Sequence, residues 1–359
     1  MGKVLVAGGA GYVGSVVVRE LLARNYEVVI LDNLYYGKDG LRGLDGTVQV
    51  VADDIRAFDP TLLHGVDAVI NLAGFSNDPT AAYNPRANYE INTNAAVHLA
   101  VLCKQHGVQR YVYASSASIY DRGLDAADAD IVQDEKSAVQ PEPHYHYSRS
   151  KHDAELQLLP MADEKFSVTV LRKGTVHGFS PRMRYDLAVN TFVRDAISKR
   201  VLTLHHGGEM WRPVVDVHDA ARAYIACLEA PRERVSGQLF NVALQNIRIS
   251  ELALRMRETF RPLGIDVDLR PDYSTNTPGR CYRMSTEKIE HTLGFQPQVK
   301  IEDSIQQLFE GIHEFGHTDF DNPRYYNIRW MQQQEDLQSG ELQTLEELDV
   351  MSTRSLARD

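Results

Sequence analysis

Tyr147 and Lys151 lie four residues apart in Tyr147-Ser148-Arg149-Ser150-Lys151, a spacing that sets both side chains on one face of a helix. A phenol beside an ammonium is a candidate base. Bringing a phenol from its ordinary pKa of about 10 to near 7 requires roughly 4 kcal/mol. A cation about 4 Å away, at an effective dielectric near 20, supplies roughly that much. Ser116, in the run Ser115-Ser116-Ala117-Ser118-Ile119-Tyr120, adds a hydroxyl that can orient a substrate alcohol. Together the three suit proton removal from an alcohol whose carbon gives up a hydride. The chain holds 17 Tyr and 10 Lys in 359 residues, so Tyr-x-x-x-Lys arises by chance about once in two such chains. Context therefore decides.

The context is a glycine loop at the N-terminus. The strand-type run Val4–Ala7 leads into Gly8-Gly9-Ala10-Gly11-Tyr12-Val13-Gly14. Glycine allows the tight turn and the close approach of a pyrophosphate, and the following helix N-terminus offers N–H donors and a positive dipole end. Asp32, 18 residues beyond Gly14, is placed to accept from a ribose diol and to repel a 2′-phosphate, which favours NAD over NADP. Asn33 follows it. Asp54 and Ile55 are candidates to flank the adenine, and Leu72, Ala73 and Gly74 end the fourth strand-type run. The positive nicotinamide of NAD⁺ would help Lys151 to lower the Tyr147 phenol.

These residues need elements to hold them. Val4–Ala7, Val28–Leu31, Val48–Val51, Ala68–Leu72, Tyr111–Ala114 and Ser167–Leu171 are apolar, β-branched runs of strand length. Helical patterns intervene, at Tyr12–Arg24, Asn88–His106 and from about Tyr147 to Leu159. Continuous apolar strands separated by helices predict a parallel sheet covered on both faces. Asp121–His144, acidic and ending near Pro141 and Pro143, predicts a loop. Beyond about residue 175 the alternation loosens into helical patterns at Leu187–Lys199, Asp219–Leu228, Ser250–Phe260 and Ser304–Phe315, joined by short strands such as Leu239–Val242. The fold class is therefore α/β, a doubly wound parallel sheet over 1–175 and a smaller mixed α/β domain over 176–330, with some exchange of chain between them. Residues 331–359, with seven acids, two arginines and Leu342, Leu345 and Leu348, predict an acidic tail.

Composition narrows the partners. The formal charge is −11, with 49 acids against 38 basic residues, which argues against nucleic-acid or anionic-membrane binding. No stretch approaches the length of a transmembrane helix, and the N-terminus lacks the plan of a secretory leader. Cys103, Cys227 and Cys281 are odd in number and far apart, predicting free thiols in a reducing cytoplasm rather than a disulfide framework or zinc site. The histidines show no metal-ligand spacing.

Gly8, Gly11 and Gly14, Asp32-Asn33-Leu34, the Ser115–Tyr120 run and the Tyr147/Lys151 pair resemble the extended short-chain dehydrogenase/reductase family, in its NAD-dependent nucleotide-sugar epimerase/dehydratase branch. The resemblance continues through Leu171-Arg172-Lys173-Gly174-Thr175-Val176-His177-Gly178, Asn190, Trp211–Asp219, Phe240-Asn241-Val242 and Arg280–Arg283, and so covers about residues 1–330. It implies an N-terminal Rossmann domain holding NAD, a C-terminal domain holding a nucleotide-diphosphate sugar, and a homodimer paired through helices Asn88–His106 and Tyr147–Leu159. Ser116, Tyr147 and Lys151 would be catalytic, the sugar passing through a transient 4-keto form with NAD recycled. Asn92, Tyr147 and Lys151 would join the cofactor contacts. Ser118, Thr175, Asn190, Arg212 and Arg280 would contact the substrate, with Arg182 and Arg184 nearby.

Departures sort the branch. Dehydrating members resemble one another in an acidic pair where this chain has Ala117 and Ser118, and decarboxylating members usually carry Glu at Ser118. Neither residue here is an acid, so the resemblance points to an epimerase. A dehydratase or 4-keto-sugar reductase is the alternative within the family, and a non-catalytic NAD-binding regulator the alternative outside it. Lys173-Gly174-Thr175 replaces an aromatic pair and Asn, and Ile91 replaces a polar residue, so the pocket departs from the family pattern.

Overall fold

Alternating apolar residues of the first half build one parallel sheet buried on both faces. The structure, a computed structural model, describes residues 2–121, 131–274 and 279–339. Strands β1 (Lys3–Ala7), β2 (Glu27–Leu31), β3 (Gln49–Val51), β4 (Ala68–Asn71), β5 (Arg110–Ser116) and β6 (Ser167–Lys173) are joined by a seventh, β9 (Gln238–Val242), in the order β9-β6-β5-β4-β1-β2-β3. Side chains alternate between faces along each strand. Val4, Val6, Val28, Ile30 and Ile70 pack on one side of the sheet, and Leu5, Val29, Leu31, Val69 and Val168 on the other.

The edge strand is the main departure in topology. Leu239–Val242 reads in sequence as part of the second domain, yet β9 pairs in parallel with β6, Gln238 opposite Thr169 through Val242 opposite Lys173. Helix Val217–Glu229 crosses back as well, placing Val217, Ala220, Ala221 and Tyr224 in the core shared with α1 (Gly14–Ala23). An apolar strand carries no mark of which sheet it will join when its partner is distant in sequence.

The second half has its own core. Strands β7 (Thr175–His177), β8 (Trp211–Asp216) and β10 (Gln245–Arg248) form a small sheet in the order β10-β8-β7. Helices Ala188–Ser198, Ile249–Phe260 and Ile301–Glu314 bury Val189, Val193, Leu252, Met256, Ile305 and Leu308 beside it. The helical pattern over Asn88–His106 is interrupted: Pro85–Tyr89 is α-helical, Glu90–Ala95 is a π-helical stretch, and Ala96–Gln105 is α-helical again. The acidic tail begins as a helix, Asn327–Ser339, with Met331 buried. Leu342, Leu345 and Leu348 lie outside the described residues.

A buried ion pair fixes the helix that carries Tyr147. Glu155, on His146–Leu158, accepts from Arg172 Nη2 at 2.6 Å and Nε at 3.0 Å, and from the Ser115 hydroxyl. Arg172 Nη1 donates to the Tyr120 hydroxyl at 2.7 Å. With each charge met by several partners, the pair locks β5, β6 and the helix in one register.

Candidate active site

Gly8 and Gly14 let strand and helix close into a phosphate-sized cradle. Gly8 has φ +78°, and a Cβ on Gly14 would stand 2.0 Å from the Gly8 carbonyl oxygen. A cavity of about 320 Å³ opens there, lined by Gly8, Gly11, Tyr12, Val13, Gly14, Asp32, Asn33, Asp54, Ile55, Leu72, Ala73 and Gly74. The Asp32 carboxylate accepts from Ala10 N at 2.9 Å and Leu34 N at 2.8 Å. Burial raises its pKa and those two bonds oppose the rise. Each oxygen keeps acceptor capacity for a diol. Asp54 is gripped at both oxygens by Arg56, at 2.9 and 2.7 Å, which holds its carboxyl below the usual range. Asn92 does not line this cavity. It is wholly buried behind Gly74, bonded to Phe75 O, Asn88 and Ser150, and its Oδ1 has no hydrogen-bond partner.

A carboxylate placed like that of Asp32 is expected to set the choice of cofactor. Replacing it with Ala is expected to weaken NAD binding by about 10- to 100-fold, the loss of a charge-assisted pair of hydrogen bonds. NADP binding would weaken less. Titration of both cofactors into the stripped variant checks this, and an unchanged NAD affinity would count against the assignment.

A second cavity, of about 370 Å³, shares Tyr12, Val13, Leu72, Gly74, Phe75, Ser76 and Arg184 with the first. Ser116, Tyr147 and Lys151 meet in its wall. Ser116 ends β5 and caps the next turn: its Oγ accepts from Ser118 N at 3.2 Å and donates to Ser118 Oγ at 3.0 Å. Burial pushes the Tyr147 phenol up to about 12, with the neighbouring Ser116 opposing the rise. Burial pushes Lys151 down to about 7, with Glu155 opposing the fall. The Lys151 ammonium lies 4.8 Å from the centroid of the Tyr113 ring and 6.0 Å from that of Tyr147. After burial, the largest influences on the Tyr147 phenol are Ser116, Asp78, Arg184 and Tyr282.

The other sugar-side residues divide. Thr175, Ser118, Arg212 and Arg280 line the second cavity. Ser118 is tied to Ser116 and, at 3.0 Å, to Ser148. Arg212 bonds the carbonyls of Trp211 and Arg280 and stacks over Tyr282, without a carboxylate partner among the described residues. Arg280 is already paired with Asp78 at 2.6 Å and, at 3.5 Å, with Asp121. Asn190 is corrected by its position. It is wholly buried and lines neither cavity, its amide spent on Gly178 N, Tyr12 Oη and Arg184 O. It holds Tyr12 in place instead.

Lys173 also faces the second cavity, donating to Ser115 O at 2.9 Å. Burial and the neighbouring Lys151 hold its pKa well below the ordinary value. Arg182 and Arg184 both line the first cavity, where Tyr36, Asn327 and Met331 also appear. Tyr36 follows closely on Asp32, a signal the sequence did offer. Asn327 and Met331 come from the C-terminal helix and carry none. Among the described residues no group of His, Cys, Asp and Glu is placed to hold a metal ion, and no helix is long and apolar enough to cross a membrane.

Comparison with known proteins finds likeness along most of the chain. The profile of the NAD dependent epimerase/dehydratase family matches residues 4–243. A UDP-N-acetyl-alpha-D-glucosaminuronate decarboxylase from Bacillus cytotoxicus is 24% identical over 326 residues, 87% of this chain and 98% of the relative. A putative UDP-glucose 4-epimerase from Methanocaldococcus jannaschii is 24% identical over 323 residues, 88% of this chain and all of the relative. Among solved structures, a dTDP-glucose 4,6-dehydratase from Streptomyces venezuelae with NAD bound superposes with TM-score 0.73 at 25% identity, covering 91% of this chain and 99% of the other.

Proposed function

The chain belongs to the NAD-dependent epimerase/dehydratase family, and on that premise we propose that it epimerises a nucleotide-diphosphate sugar through a transient 4-keto form. The observation that carries this reading is the meeting of Ser116, Tyr147 and Lys151 in a cavity whose wall is continuous with the glycine-loop cavity, with no carboxylate at Ala117 or Ser118. The orphaned polar atoms and the glycine cradle of the first cavity fit a dinucleotide. NAD, when bound, takes the hydride from the reacting carbon and returns it.

The chain's own groups do the rest. Tyr147 takes the proton of the sugar hydroxyl and later returns it. Ser116 orients that hydroxyl. Lys151, which has no hydrogen-bond acceptor among the described residues, would donate to ribose hydroxyls of the cofactor held here, and such acceptors would favour its charged form. Arg212 supplies a guanidinium fork to the diphosphate, and Thr175 lines the sugar side. Nothing at Ala117 or Ser118 can pull a second proton, so the keto sugar has reduction from its other face as its exit.

Two further parts of the reading have support of their own. Leu156, Tyr89 and Val101 are 60%, 40% and 36% exposed on the helices His146–Leu158, Pro85–Tyr89 and Ala96–Gln105, apolar side chains whose burial would favour pairing with a second copy. The three cysteines are free and buried, which suits a reducing cytoplasm.

The test is a panel of nucleotide sugars given to the NAD-loaded protein and followed by NMR. An epimeric product should form with its C4 hydrogen retained and without net NADH. A lasting 4-keto product, loss of water or carbon dioxide, or stoichiometric NADH would transfer the assignment to the dehydratase, decarboxylase or reductase reading.

A further inference from the structure

Two buried donors in the cofactor cavity are not used by the mechanism. Arg182 is 4% exposed, and its Nε has no hydrogen-bond partner. The Tyr36 hydroxyl is also buried and has none. The guanidinium lies 4.3 Å from the centroid of the Tyr36 ring, and both residues line the cavity of the glycine loop. Native structures rarely leave such groups unmet. The guanidinium can only donate and the phenol beside it has a hydrogen to give, so one acceptor would satisfy both.

Charge identifies the acceptor further. The neighbouring Arg184 is spent on Asp186, at 2.8 and 3.1 Å, and on Ser76 at 2.7 Å. Arg182 has no carboxylate at ion-pairing distance among the described residues, and its one hydrogen bond runs from Nη2 to Asn327 Oδ1 at 2.8 Å. A guanidinium with no carboxylate at ion-pairing distance among the described residues, beside a phenol whose hydroxyl is also buried and unpartnered, makes an anion site. A pyrophosphate is the anion that a dinucleotide carries past a glycine loop. Asp32, whose field reaches Arg182, disfavours a 2′-phosphate in the same space.

We propose that Tyr36 and Arg182 donate to the cofactor's pyrophosphate, adding a side-chain clamp to the backbone N–H groups of Tyr12 and Val13, those of Gly8, Ala10 and Gly11 being bonded within the protein. This rests on the NAD reading above. The C-terminal helix positions the clamp. Its first residue, Asn327, bonds Arg182, Ser76 Oγ at 3.1 Å and, through its main-chain N, Asp186 at 3.1 Å. Trp330 Nε1 donates to Tyr35 O at 2.5 Å, which docks the helix beside Tyr36.

Titration of NAD, NADP, ADP and adenosine into cofactor-stripped protein tests this, for wild type, Tyr36→Phe and Arg182→Gln. Arg182→Gln should bind NAD and ADP about 10- to 100-fold more weakly, and Tyr36→Phe about 3- to 10-fold, with adenosine unchanged. Tyr36→Phe removes a single oxygen and carries the test should Arg182→Gln fail to fold. Variants that bind NAD and ADP as the wild type does, or that lose adenosine as strongly as ADP, overturn the clamp. A wild type that prefers NADP, with the preference lost in the variants, overturns it in favour of a 2′-phosphate. A wild type that binds no dinucleotide at all overturns the NAD reading itself.

Discussion

Tyr147→Phe should lower kcat by about 10²- to 10⁴-fold, the usual worth of a positioned proton acceptor, and leave NAD in place. The substitution removes one oxygen and keeps the ring that is packed at 9% exposure, so folding should survive. Its value lies in where the proton goes. With the phenol held at about 12 by burial in the protein alone, its phenolate is scarce at neutral pH. The wild-type rate should therefore climb with pH above neutrality and level off below 12, because the charge brought by NAD⁺ lowers the phenol in the loaded enzyme. Tyr147→Phe should lose that climb. A kcat–pH profile and the NAD content of each variant provide the check. A variant that keeps the wild-type rate, or the wild-type slope with pH, would remove Tyr147 from the role of base.

The parts of the site legible in sequence were those whose members are near neighbours along the chain or sit at strand ends. Gly8 to Gly14, Asp32 and the Leu72–Gly74 run follow three strands of one parallel sheet, so a periodicity argument brings them to one edge. Lys151 and Tyr147 needed only a helix. Their energetic relation was not legible: burial pushes Lys151 down to about 7 and Tyr147 up to about 12, and burial is a property of the packed whole. Asn190 shows the same limit from the other side. A polar residue at a matching position was spent on tying Tyr12 and Gly178. Tyr36, Arg182 and Asn327 come together from three distant segments, and no local pattern announces such a meeting. The edge strand Gln238–Val242 was visible as a strand, but its partner depended on the crossover of Val217–Glu229 over the sheet.

Lys151→Met should abolish turnover and yet stabilise the fold at neutral pH. Lys151 is 4% exposed and titrates near 7 in the folded chain against 10.5 for an ordinary lysine. The folded state therefore binds this proton less well than the unfolded state, and stability rises with pH wherever the unfolded chain holds more protons. Its contribution is complete above about pH 10.5, shrinks as pH falls, and is at its worst below about 7. A shift of that size corresponds to roughly 4–5 kcal/mol, and a substitution that keeps the buried stem should recover about 1–3 kcal/mol of it at pH 7. Urea unfolding at pH 7 and pH 9 makes the measurement. The advantage of Lys151→Met over wild type should be largest at pH 7 and narrower at pH 9. A variant less stable than wild type at pH 7, or a gap that widens with pH, would show that Lys151 is not held against its charge. Lys173 is pressed in the same direction, partly by Lys151 itself, so removing Lys151 should also raise the Lys173 pKa toward its ordinary value. Two amines that cost stability in the protein alone, lining the cavity that holds Ser116 and Tyr147, are retained against the demands of folding. A bound anion and a pair of ribose hydroxyls would turn that cost into binding, and this is where the chain's stability and its chemistry are set against each other.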